Sequence, residues 1–357
     1  MKLKIQSLIV ILLAAAALHA QQTVRMNAIK SNNYGVVYSL PKTSVVVTLK
    51  IKKTVYKRGE FYQYSQRYLN IDPITESRTQ YSIEDVVIDN VGVANPEQSY
   101  MVVFNPKSVA PFVELTEDGL IAAINTDADI IQKTKITLPE ADEAPLNARR
   151  FLSEEVLAAG STGKQAELVS RQIFDLRRSK NDILIGEADN MPPDGEAYKI
   201  VISQIDNQEK ALSELFTGST QSEYFTKQLT IIPENNDIDR LVIGRFSEKL
   251  GLVDSDNLAG APIYLSLKSK IPVANQFMND KERAAFEKKL ADGVVYNIPA
   301  KAQLSLEFNN KTLYNQEIDV VQYGVQDVLT KRMLDNKKQP IKVLFFPNLG
   351  AIKQIIQ

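Results

Sequence analysis

Apolar residues fall on alternate positions through TSVVVTLKIKKTVY, Thr43 to Tyr56, where Val45, Val47, Leu49 and Ile51 lead into a stretch punctuated by Lys50 and Lys52. A two-residue period rich in β-branched side chains predicts a strand with one buried face. YSIEDVVIDNVGV (Tyr81 to Val93) and SYMVVFN (Ser99 to Asn105) read the same way. The turn formers Asn95-Pro96 are expected to separate them. Between the first two of these runs, Phe61, Tyr64, Tyr68 and Leu69 stand at helical spacing, which predicts a short core-facing helix beside the sheet.

The period changes in the middle of the chain. Ala166, Val169, Ile173 and Leu176 recur at steps of three and four, with Ser161 or Thr162 able to cap the start and Gly186 the end. A second helix is expected after MPPDGEA, with Asp194 as its N-cap and Ala197, Val201, Ile205, Leu212 and Leu215 as its stripe, ending at Thr217-Gly218. So short a connector makes the two helices antiparallel neighbours. From Gln228 the β-pattern returns in LTIIP, LVIGRF, PIYLSLKSKIPV, GVVYNIPAKAQLSLEF and KVLFFP, interrupted by a helix at NDKERAAFEKKLADG with Asp280 near its start.

These patterns predict an α+β fold: two mainly antiparallel β-rich modules joined by a long antiparallel helical hairpin. The expected segments are a signal peptide (1–20), a flexible leader (21–33), an N-terminal module (34–150), the hairpin (151–219) and a C-terminal module (220–357). One phrase occurs in both modules. GVVYSLP, Gly35 to Pro41, returns as GVVYNIP, Gly293 to Pro299. Each copy leads into a strand-like run, so the phrase marks strand entry whether it arose by duplication or by convergence.

The first twenty residues change the setting. Lys2 and Lys4 precede an apolar run from Leu8 to Leu18 that ends in small residues, the pattern of a secretory signal peptide cleaved after Ala20. The run is shorter than the roughly 18 residues that span a bilayer. An exported chain in the periplasm or at an outer-membrane face is therefore expected. No cysteine occurs, which excludes disulfides and a lipid anchor. The whole chain has 42 basic and 43 acidic residues, and loss of Lys2 and Lys4 takes the formal charge to −3. Such a balance gives no polybasic surface for nucleic acid.

The single histidine is His19, inside the signal peptide. Residues 21–357 contain no His, Cys or Trp. A Ser-His-Asp triad, a cysteine nucleophile and the usual zinc sites are excluded by residue content. No catalytic residue and no cofactor is expected.

Acidic residues gather in GEADNMPPDGEA, where Glu187, Asp189 and Asp194 are weak candidates for a hard cation. Helix capping by carboxylates explains the same residues without an ion. VDSDN (Val253 to Asn257) and NTDAD (Asn125 to Asp129) are similar acidic turns. Tyr62 and Tyr64 could stack on sugar rings, although Tyr64 belongs to the core-facing stripe. Arg177 and Arg178 could meet an anionic ligand, but interleaved acids such as Asp175 and Asp182 also fit them as ion-paired surface residues.

YSLPKT (Tyr38 to Thr43), YKRGEFYQYSQRYL (Tyr56 to Leu69) and the central block from Gly160 to Ala197 resemble the secreted bacterial family catalogued as domain of unknown function 4831. QEKALSELFTG, RFSEKLGLVDSDNLAGAPIYL, GVVYNIPAKA and the downstream QYG (Gln322 to Gly324) extend the resemblance over nearly all of the chain after the signal peptide. It implies export from a Gram-negative cell and no established catalytic residues. The expectation for function is a non-catalytic envelope protein that binds or scaffolds an envelope protein partner. A carbohydrate-binding protein, with a glycan held by tyrosines of the first module, is the alternative.

Overall fold

The computed structural model describes residues 22–25, 35–103, 112–128, 136–191, 195–273, 279–290, 293–330 and 341–356. The signal peptide, Asp194 and Asp129 lie outside them. Among the described residues the chain is β-rich, with several antiparallel sheets and few helices. One sheet runs in the order β1 (Gln22–Arg25), β3 (Arg78–Val103), β2 (Gly35–Lys57), β6 (Ser219–Ile231). A second runs β11 (Lys311–Thr330), β10 (Gly293–Phe308), β9 (Ala261–Ser269), β7 (Ile238–Ser247), β8 (Gly251–Val253). The third is β13 (Ala351–Ile356), β12 (Lys342–Phe346), β5 (Ile121–Ile124), β4 (Val113–Leu115).

The first and third sheets each combine strands from before and after the helices, so the sheets do not follow the module boundaries read from the sequence. The reason is burial. Val45, Val47, Leu49 and Ile51 of β2 share one core with Ile263, Leu265 and Leu267 of β9 and with Ala302, Leu304 and Leu306 of β10. Neither region could cover its apolar face alone. Within the stretch read as a loose leader, β1 pairs with the end of β3.

The two GVVY phrases open β2 and β10. Each strand pairs with its partner through the same irregularity. In the first pair only Leu40 lies between Ser39, opposite Ser99, and Pro41, opposite Ala94; Asn95 to Gln98 bulge across from it. In the second, Pro299 alone faces Val321 to Gly324. In both cases one residue faces four, Leu40 as the sixth residue of its copy of the phrase and Pro299 as the seventh of its copy. Asn95-Pro96 is thus not a turn between two strands but part of a bulge inside the single strand β3, where the ladder is already interrupted and a missing N–H costs little.

The bulge changes which face of the strand is buried. Tyr38 before it and Leu40 at it join a second core with Val294, Val295, Val343 and Phe345, closed by Phe286 and Leu290 of a helix at Asp280–Leu290. Val45 onward serves the first core. Asn297 ties the crossing together while almost fully buried. Its N–H donates to Gly350 O at 2.8 Å, and its amide donates to Leu349 O at 2.9 Å and Pro41 O at 3.3 Å. Its Oδ1 accepts from Gln326 Nε2 at 3.3 Å.

The QYG triplet explains itself in the same place. Gln322 accepts from Thr43 N and donates to Thr43 O, both at 2.9 Å, as a neighbouring strand would. Tyr323 is fully buried and donates to Asn236 O at 2.7 Å. Gly324 leaves no room for a side chain, because a Cβ there would lie 1.9 Å from Ile298 O.

Five α-helices occur among the described residues: α1 (Ser65–Leu69), α2 (Glu154–Ala158), α3 (Thr162–Ile185), α4 (Gly195–Thr217) and the helix already described, α5 (Asp280–Leu290). A third core joins Phe61 and Leu69 to Ala166, Val169 and Ile173 of α3 and Leu212 and Phe216 of α4. Full burial of each such aliphatic or aromatic side chain stabilises by about 1.5–3 kcal/mol. This core roots the helices on the outer end of the β2–β3 pair.

Candidate functional site

Ser161 caps α3 by accepting from Lys164 N at 3.3 Å. Gly186, at φ 78°, closes it. Its N–H donates to Ile183 O and the next N–H, of Glu187, donates to Asp182 O, the paired bonds of a Schellman motif. Two cross-links set the helices side by side: Arg177 Nε donates to Glu209 at 2.6 Å and Lys180 Nζ to Asp206 at 2.5 Å. The Asp206 carboxylate holds Lys180 above its ordinary range. The numbers run in opposite directions, and the same register sets Ile200 level with Gly186.

The third core reaches along α3 only to Leu176. The nine residues beyond it, about 14 Å of helix, carry a different surface. Leu184 is 56% exposed, Ile185 55%, Met191 45% and Ile200 56%. All four lie at the same end of the helix pair, in the last turn of α3, the connector and the second turn of α4. Scattered apolar residues on a surface need no explanation, but a group of large ones does. Acids outnumber bases around them, with Lys199 beside Ile200 paired to Glu196 at 3.9 Å. Between Asn181 and Tyr198 the sequence has Asp182, Glu187, Asp189, Asp194 and Glu196 and no Lys or Arg. Glu187, Asp189 and Glu196 are exposed.

Of the weak metal candidates, Glu187 and Asp189 sit at this tip, and Asp194 lies outside the described residues. Glu187 and Asp189 point to no shared centre: among the described residues, no group of three or more potential ligands could hold an ion. Arg177 and Arg178 lie on α3 below it. Arg177 bonds across to Glu209 and Arg178 lies 3.6 Å from Asp175, so both stand in ion pairs. The link from Arg177 to Glu209 escaped sequence reasoning, which offered partners only on the same helix.

Tyr62 and Tyr64 do not form a common platform. Tyr64 packs on the third core beside Tyr68, at a ring separation of 6.2 Å. Tyr62 lies under the Arg58 guanidinium at 4.5 Å, with its hydroxyl accepting from Gln63. An open groove at Asn236 to Val242, with Ser255 and Asp256, offers less. Asp237 accepts from Ser269 N, Asp239 pairs with Lys268, and Arg240 pairs with Glu307 while stacking on Tyr264. The exposed tip gave a sequence signal in retrospect: Leu184, Ile185 and Ile200 lie off the stripes that the helical period assigns to the core.

Several antiparallel sheets with few helices define a β-rich protein. The chain belongs to the family described as Domain of unknown function (DUF4831), whose model matches residues 34–353. No curated protein and no solved structure matches it. Among the described residues no helix is long and apolar enough to cross a membrane.

Proposed function

We propose that this protein is an exported, non-catalytic component of the cell envelope that binds other proteins through the tip of its helix pair. In this reading the pair is a hairpin arm, rooted on the sheets and free at the end that carries Leu184, Ile185, Met191 and Ile200. The exposed apolar group at that end carries the proposal. The partner's matching surface is an apolar pocket rimmed by basic side chains, since the tip is acidic. The signal-peptide pattern supports export to the periplasm or an outer-membrane face. A chain without His or Cys after that peptide supports a binding role over acid–base or nucleophilic chemistry.

The test is cross-linking in intact cells, affinity purification of the tagged protein and mass spectrometry, run beside an L184S/I185S/I200S variant. A stoichiometric partner that is lost in the variant is expected. A partner recovered equally with both proteins would place the contact elsewhere.

A further inference from the structure

We infer that the tip's partner is a second copy of this chain, which receives it on Arg58, Arg67 and Arg78 near the root of the helix pair. The inference rests on the tip being a protein contact. The three arginines occupy the outer end of the β2–β3 pair and the short helix α1. Each guanidinium lies over a tyrosine ring: Arg58 on Tyr62 at 4.5 Å, Arg67 on Tyr68 at 5.3 Å and Arg78 on Tyr56 at 4.4 Å. All three arginines are exposed. Among the described residues none of them forms an ion pair, although Glu60, Asp72 and Glu76 lie in the same stretch. Elsewhere the arginines of the helix pair find carboxylates, as at Glu167 and Glu209.

Stacking fixes a guanidinium flat on the ring and leaves its edge N–H groups for a carboxylate. The tyrosine rings beside them add apolar area. This surface complements the tip in both respects: carboxylates of Glu187 and Asp189 for the arginines, Leu184 and Ile185 for the rings. The tip cannot reach the face on its own chain. Gly163 lies against the Tyr64 hydroxyl at the root. The 22 residues from there to Ile185 span about 33 Å of helix. A second copy has no such constraint. Because the two surfaces differ, each bound copy offers a free tip and a free receiving face, so the contact builds an open row or a closed ring.

Sedimentation velocity of the purified chain, over about 1–100 μM where a weak contact of this kind saturates, tests the inference. The unaltered chain is expected to form species larger than dimers as concentration rises. E187K/D189K and R58E/R67E, each checked for unaltered circular dichroism and urea midpoint, are expected to stay monomeric. Mixed in equal amounts they should assemble beyond dimers again, since the lysine tip of one variant meets the glutamate face of the other while the unaltered tip and face still match. An unaltered chain that stays monomeric throughout would overturn the inference, as would either variant assembling like the parent. If the chain is monomeric yet the tip variant still loses a cross-linked partner in cells, self-association falls and the protein-binding reading stands.

Discussion

The Tyr38 hydroxyl holds both backbone atoms of Val295, accepting from its N–H at 2.9 Å and donating to its carbonyl at 3.3 Å. The residues are 257 positions apart, one in each copy of the repeated phrase. The two copies therefore meet at the crossing of the sheets, where Pro41 also accepts from Asn297. A bulge of one residue against four falls inside each copy, one position apart.

Removing that hydroxyl strands two buried backbone groups. Tyr38→Phe should cost about 1–3 kcal/mol at neutral pH, read as a lower urea midpoint with an unchanged slope. Burial pushes the Tyr38 hydroxyl well above the ordinary tyrosine range, and burial raises Tyr323 to about 12. A raised folded-state value means that the folded chain keeps a proton the unfolded chain releases. Stability is then intact below about pH 10 and falls as pH climbs above it. Unfolding series at about pH 8, 10 and 11 should show this decline, and Y38F should show a shallower one.

Asn297→Leu should be worse at neutral pH. It preserves approximate volume but leaves Leu349 O and Pro41 O without their donor, each worth about 1–3 kcal/mol when buried and unpaired. Calorimetry should show a fall in Tm larger than that of Y38F. An equal or smaller fall would mean that water replaces the amide.

Two glycines separate sterics from backbone freedom. Gly186→Ala meets no atom within 4 Å but must hold φ 78°, which costs about 1 kcal/mol. Gly324→Ala would put Cβ 1.9 Å from Ile298 O, so the bulge must open. Its loss of stability should be several times larger in the same denaturant assay.

Much of the fold could be read from the sequence, and the failures have physical causes. The helix boundaries came from spacing and from the Ser161 and Gly186 caps. The alternation at Val45 to Ile51 located the core of β2. The long strand β11 went unread because its apolar positions change parity across the Val321–Gly324 bulge, which hides the two-residue period. The pairing of β2 with β6 and of β5 with β12 went unread because pairing between distant strands leaves no local trace. Of the candidate site residues, Glu187 and Asp189 lie exposed at the end of the helix pair beside the apolar group of Leu184 and Ile185. Asp280 stands in the first turn of α5, near its start as expected, and the cap is Asn279, whose Oδ1 accepts from Glu282 N at 3.0 Å.

Serine at Leu184, Ile185 and Ile200 should leave folding within about 0.5 kcal/mol of the parent, as exposed positions do. A marked drop in the urea midpoint would show that these side chains are covered within the folded chain itself, and the tip would lose its claim as a contact surface.

The most direct test places a photo-cross-linking side chain at Ile185 in intact cells, with a control at Leu258, which is 82% exposed and far from the helices in sequence. The account predicts a discrete adduct to a protein from the Ile185 position and none from the Leu258 position. Equal labelling from both positions, or none from either, would contradict binding through the tip.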